Sequence, residues 1–189
     1  MRYMKIHSTK KVERKMTAGK TKKKSTYPWW KELLLLLGKL AGIGIFFLFL
    51  FTIILGILRV ADEDMLPSVK EGDLAIYNRL DKDYVFGDCI ALEYEGKLQV
   101  RRVAAVGGDT VDITEDGLEV NGYLQQENLI YEETQRYADG IDFPVQINDD
   151  EIFVLGDARE NATDSRIYGV VNTKDTKGKI MLIIRKRNF

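Results

Sequence analysis

CIALEYEGKLQVRRVAAV, residues 89–106, decides the fold class. Cys89 to Tyr94 and Gln99 to Val106 are rich in β-branched, aromatic and other apolar residues, and Glu95-Gly96-Lys97 between them suits a hairpin loop. The same grammar recurs on both sides. Leu74 to Tyr77 is a short apolar run. Leu118-Glu119-Val120, Asn121-Gly122 and Tyr123-Leu124 read as a tight hairpin with an Asn-Gly turn. Ile152 to Leu155 and Lys179 to Ile184 complete the set. No ten-residue stretch beyond Ala61 has a helical period, so an antiparallel, mainly β domain is expected over 61–189. Gln125 to Asp149 is polar and aromatic without alternation. It reads as an irregular part of a smaller insertion at about 110–149 that packs Tyr131, Tyr137 and Phe143 onto the sheet.

Upstream the chemistry changes. Leu40 to Leu58, LAGIGIFFLFLFTIILGIL, carries no charge. As a helix, such a segment is about 28 Å long, close to one hydrocarbon core. Leu33 to Leu37 extends the run, Lys39 can snorkel, and Trp29 and Trp30 favour the interface. The run exceeds the apolar region of a signal peptide. It reads as an uncleaved anchor over 33–60, preceded by a basic tail over 1–32. Met1 to Lys39 holds 12 Lys+Arg against 2 Asp+Glu, and Val60 to Phe189 holds 15 against 27. The positive-inside rule places the N-terminus in the cytoplasm and residues 61–189 outside, in a cell-membrane protein with one span. The topology is the same whether translation starts at Met1 or Met16. Membrane lipid explains the lysine block without a nucleic-acid partner.

The single cysteine, Cys89, allows no internal disulfide and reads as a small buried side chain. The only histidine, His7, lies in the tail, so residues 61–189 contain no imidazole base for a Ser-His-Asp triad. No Cys/His cluster has metal-ligand spacing and no Gly-rich phosphate loop follows a strand, so neither metal nor cofactor is expected.

Three segments carry a more specific signal together. They are Asp64-Met65-Leu66-Pro67-Ser68 followed by Glu71-Gly72-Asp73; Gln99-Val100-Arg101-Arg102-Val103 running to Gly107-Gly108-Asp109; and Val154-Leu155-Gly156-Asp157-Ala158-Arg159 followed by Asp164-Ser165-Arg166 and Tyr168-Gly169. Their order and spacing after an N-terminal anchor resemble the boxes of type I signal peptidases. The resemblance implies a membrane-anchored β-fold peptidase that cuts exported preproteins with a Ser-Lys dyad, the serine just before Met-x-Pro and the lysine just before Arg-Val. Lysine in an apolar site is neutral enough to deprotonate a hydroxyl.

At the matching positions stand Asp64 and Arg101. Arginine stays protonated and cannot act as a base, and an aspartate has no hydroxyl to acylate. Asp62 stands where the family has a small residue beside the oxyanion site, and opposes a developing negative charge there. Ala158 and Ala162 depart from the family's Asn and Ser. Met65, Leu66 and Pro67 are candidates for the peptide groove. Gly156, Asp157, Arg159, Asp164, Ser165 and Arg166 are expected to organise a structural loop by carboxylate–guanidinium bonding, and Asp64 and Arg101 to form an ion pair.

These replacements lead to the expectation that the chain is not an enzyme but a catalytically degenerate homologue. It would bind extended segments by strand addition. The resemblance to signal-peptidase-like proteins associated with Gram-positive pilus assembly suggests a pilin or another exported protein as partner. Two further readings stand beside it. One is a peptidase with an altered, aspartate-based mechanism using Asp62 and Asp64, with Ser68 and Ser165 as substitute nucleophiles. The other is a regulatory partner of an active signal peptidase. The sequence leaves the oligomeric state open.

Overall fold

The structure, a computed structural model, describes residues 28–128 and 130–186. Residues 1–27 of the basic tail, with His7, lie outside that range. Helix α1, Trp29–Phe49, continues through a wider π turn over Leu50–Ile54. Together they give 26 residues, mostly apolar and none buried, long enough to cross a membrane and suited to an anchor or a signal sequence. The helix ends before residue 60, where the sequence reading placed the end of the anchor. Leu55–Arg59 is instead strand β1, paired with β2, Leu74–Asn78. Gly56 shows why: it faces Tyr77, and a Cβ there would lie 2.1 Å from the tyrosine ring. The bare glycine lets the aromatic ring lie against the strand, so tertiary packing overrides the continuous apolar pattern.

The remaining strands are β3 (Cys89–Tyr94), β4 (Lys97–Val106), β5 (Thr110–Thr114), β6 (Gly117–Val120), β7 (Tyr123–Leu124), β8 (Val145–Gln146), β9 (Glu151–Leu155), β10 (Val171–Asn172) and β11 (Gly178–Ile184). The one-turn helix α2, Ser165–Tyr168, lies between β9 and β10. Every pairing is antiparallel. A seven-stranded sheet has the order β1-β2-β11-β3-β4-β9-β10, and a four-stranded sheet the order β7-β6-β5-β8. The mainly β, antiparallel fold expected from the sequence is the fold observed.

Two hairpins turn on residues with positive φ. Glu95 and Gly96 (49° and 75°) join β3 to β4, and Asn121 and Gly122 (55° and 78°) join β6 to β7. Both are primed turns whose twist suits a two-residue hairpin. Tyr131 does not pack as expected but stands 82 % exposed, whereas the Phe143 and Phe153 rings meet edge-on at 6.0 Å.

Strand β4 organises the interior. Val100 packs with Leu58, Val60, Met65 and Ala75. Val103 joins Ile90, Ile152 and Val154, and Ala104 and Ala105 face Val111, Ile113 and Phe153. A register shift between Val103 and Ala105 lets one strand serve these clusters. Among the apolar residues of β4 sits Arg101, whose side chain is 0 % exposed.

Candidate functional site

A buried guanidinium needs partners for its donors, and Arg101 finds them on two loops. Its Nε donates to the Thr163 carbonyl at 2.9 Å, and one terminal nitrogen donates to the Val100 carbonyl at 2.6 Å. The other terminal nitrogen donates to Asp64 Oδ2. Asp62 Oδ2 lies 3.4 and 3.5 Å from the two terminal nitrogens, at the outer limit of hydrogen bonding. Asp64 Oδ2 also accepts the Thr163 amide at 3.0 Å, and the Asp64 carbonyl accepts the Ala158 amide at 2.9 Å. The structure therefore brings Asp62, Asp64 and Arg101 together, with Asp64 paired to Arg101. The carboxylates keep an open side: Asp62 is 27 % exposed and Asp64 19 %.

The two carboxyls have unequal environments. Burial pushes Asp62 above the usual carboxylate range. Arg101 opposes that shift and the charge of Asp64 adds to it. Asp62 Oδ1 is buried without a hydrogen-bond partner. Because the folded state favours protonated Asp62, its stability contribution is fully present below the unfolded value of 3.8 and is lost as pH rises through the raised folded value. Asp62→Asn is expected to flatten that part of the pH–stability curve, as checked by denaturant midpoints across the acid range. An unchanged slope would mean that the carboxyl does not sense its burial.

Arg102, the next residue on β4, points to the opposite face. It grips Asp157 bidentately at 2.7 and 2.6 Å and donates to the Gly87 carbonyl at 2.9 Å. Hydrogen bonding to Asp157 holds the Arg102 guanidinium all the more firmly protonated. Burial raises the Cys89 thiol, which fits a packing role rather than a reactive one.

The loop after β9 is built by its own charges. Asp164 accepts Arg166 Nε at 2.9 Å and a terminal Arg166 nitrogen at 2.7 Å, together with the backbone amides of Gly156 and Arg166, each at 3.0 Å. Ser165 Oγ accepts the Val154 amide at 3.0 Å and is wholly buried, which removes it as a nucleophile. Ser68 Oγ sits 3.4 Å from Arg102, a protonated partner that cannot take its proton. Gly156 is where this loop meets the other: a Cβ there would lie 2.2 Å from Ala162 Cβ and 2.6 Å from the Asp64 carbonyl oxygen. Gly156→Ala is expected to destabilise by about 1–3 kcal/mol through overpacking. Urea unfolding checks the loss, and a neutral result would show that the two loops move apart freely.

The groove assignment needs correction at Met65. This side chain is 0 % exposed and belongs to the core with Leu58, Val60 and Val69, because it points inward from the loop between β1 and β2. Leu66 is half-buried and Pro67 exposed.

Other residues of the site came from outside the motifs. Glu127 takes Arg159 bidentately at 2.8 and 2.6 Å, and Thr134 accepts from Arg159 at 2.5 Å. The Tyr137 hydroxyl lies 3.1 and 3.0 Å from the carbonyls of Arg159 and Ala162 and accepts from Arg166 at 3.0 Å. The irregular insertion thus straps the loop that holds Asp64. The Tyr168 hydroxyl is buried without a partner, and burial raises its pKa under the opposed influences of Arg101, Asp164 and Asp64. A polar aromatic residue in the insertion was the only sequence signal for Tyr137. Tyr168 belongs to the third of the ordered motifs, whereas nothing local marked Glu127.

The chain combines a mainly antiparallel β-fold, one N-terminal apolar helix long enough to cross a membrane, and a charged cluster where the first loop meets β4. The family model described as signal peptidase, peptidase S26, matches residues 30–185, and the chain belongs to that family. A signal peptidase I of Bacillus amyloliquefaciens is 31 % identical over 156 residues, covering 78 % of this chain and 81 % of that protein. Signal peptidase I P of Bacillus subtilis subsp. natto is 31 % identical over 131 residues, covering 63 % and 71 %. A solved signal peptidase I of Enterococcus faecalis is 24 % identical, with a TM-score of 0.45, over 53 % of this chain and 99 % of that one.

These relatives correct the expectation that the chain is not an enzyme. Proteins 31 %, 31 % and 30 % identical to it are named signal peptidase I, which leans toward peptidase activity. That expectation equated loss of a hydroxyl–amine dyad with loss of chemistry. The same place retains two titratable carboxyls in unequal environments.

Proposed function

We propose that the chain is a membrane-anchored peptidase that takes an extended segment of an exported protein and hydrolyses it with Asp62 and Asp64 as the acid–base pair. The observation that carries this reading is the shared guanidinium with its asymmetric carboxylates. Arg101 forms an ion pair with Asp64, while burial raises the Asp62 carboxyl above the usual carboxylate range. Two carboxyls whose environments differ in this way are suited to opposite proton-transfer roles. Water would add to the scissile carbonyl carbon as its proton passes to the Asp64 carboxylate. The Asp62 proton would pass to the departing amine as the carbon–nitrogen bond breaks. The Arg101 guanidinium positions both groups.

In this reading the N-terminus is cytoplasmic and the β domain works at the outer face, near the emerging part of an exported chain. Surface pilins belong to that class of partner. The test is incubation of the full-length protein in proteoliposomes with a preprotein and with a pilin, followed by mass spectrometry of the products. Cleavage at one defined site is the expected result. Binding of either protein with no cleavage would overturn the reading.

A further inference from the structure

A second charged site lies away from Arg101. Arg59 ends β1, Lys70 and Gly72 precede β2, and Arg185 and Lys186 follow β11. They surround a basin of about 360 Å³ with Asp73 and the rim residue Glu71. The Asp73 carboxyl is 2 % exposed and accepts the Lys70 amide at 3.1 Å and the Lys186 amide at 2.9 Å. One buried carboxylate therefore fastens both cation-bearing segments together. Gly72, at φ +89°, leaves the floor bare. A Cβ there would lie 3.2 Å from Lys186 Cδ, 3.9 Å from Lys186 Nζ and 3.8 Å from an Arg59 terminal nitrogen. Two cationic groups converge on one point. Among the described residues, no carboxylate, Glu71 included, forms an ion pair with Arg59, Lys70, Arg185 or Lys186. Like charges gathered in this way attract an anion.

The neighbouring surface says which anion. Register places Arg59, Leu74 and Ile184 in one row across β1, β2 and β11, and Ile57, Ile76 and Leu182 in the next parallel row. Ile57, Leu74, Leu182 and Ile184 are 51 %, 40 %, 53 % and 48 % exposed, so the outward face of these strands is apolar. Strand β1 begins at Leu55, directly after the membrane-length helix ends at Ile54. An apolar face that ends in cations and continues a membrane segment matches a bilayer interface, acyl chains against the apolar rows and phosphates over the cations. We propose that the Arg59–Lys70–Arg185–Lys186 basin binds the phosphate of anionic phospholipids in the leaflet that the β domain faces.

The test uses the full-length protein in nanodiscs of phosphatidylcholine alone or of equal parts phosphatidylcholine and phosphatidylglycerol. A water-soluble amine-acylating reagent reports the reactivity of each lysine by mass spectrometry. Lys97 and Lys174, both exposed and away from the basin, serve as internal references. The proposal expects Lys70 and Lys186 to be protected about fivefold or more by phosphatidylglycerol, with the reference lysines unchanged. Arg59→Gln should lose that protection and Arg59→Lys should retain it. Equal reactivity in the two lipids would overturn the proposal. So would equal protection by inorganic phosphate in phosphatidylcholine discs, which would make the basin a site for soluble anions.

Discussion

Arg166→Met is expected to lower the unfolding free energy by about 3–5 kcal/mol, the usual consequence of leaving one partner of a buried ion pair uncompensated. Arg166 and Asp164 are both 0 % exposed, so no water replaces the lost guanidinium. The loss extends further, because Arg166 also donates to the Gln135 carbonyl at 3.1 Å and to the Tyr137 hydroxyl at 3.0 Å. Both Trp29 and Trp30 lie at the start of α1, so tryptophan fluorescence would not follow the β domain. Pulse proteolysis of the full-length protein across a urea series reads the change instead. Adding Asp164→Asn to Arg166→Met should recover part of the loss by removing the orphan charge. A double variant no more stable than the single one would show that packing, rather than charge, dominates there.

Arg101→Met is the second large effect, expected toward the lower end of about 3–5 kcal/mol. Its guanidinium is as buried as that of Arg166, yet the carboxylates it leaves behind are 19 % and 27 % exposed and are partly rehydrated. Losing the cation also removes the influence that holds the Asp62 pKa down, leaving burial and Asp64 to raise it further. The destabilisation should therefore shrink as pH falls and Asp62 neutralises. The same urea series at neutral and acid pH checks this. A loss independent of pH would assign Arg101 a packing role alone.

Much of the sheet is legible in the sequence because strands speak through local pattern. Asn121-Gly122 and Glu95-Gly96 turn where positive φ is needed, and the runs around Ile90, Val103 and Val154 are apolar enough to be interior. Strand β1 is not legible, since Leu55–Leu58 continues an unbroken apolar run and only Tyr77, packed against Gly56, ends the membrane pattern. Strand β5 is hidden in the polar alternation of Thr110–Thr114, whose inward residues Val111 and Ile113 are too few to stand out.

At the site, ordered motifs brought Asp62, Asp64 and Arg101 under one hypothesis, and the structure places them in one cluster. Their supports could not be read the same way. Thr163 closes the cluster through backbone groups that any residue carries, and Glu127 meets Arg159 across 32 positions of chain. Met65 reads equally well as groove or core, and only burial decides for the core.

The most direct test of the central claim is the rate of preprotein cleavage by wild-type protein and by Asp62→Asn in the same proteoliposomes. If Asp62 delivers the proton to the departing amine, the amide variant should cleave about 10²–10⁴-fold more slowly while binding the preprotein as before. Cleavage by Asp62→Asn at the wild-type rate would contradict the account and place the chemistry on other groups.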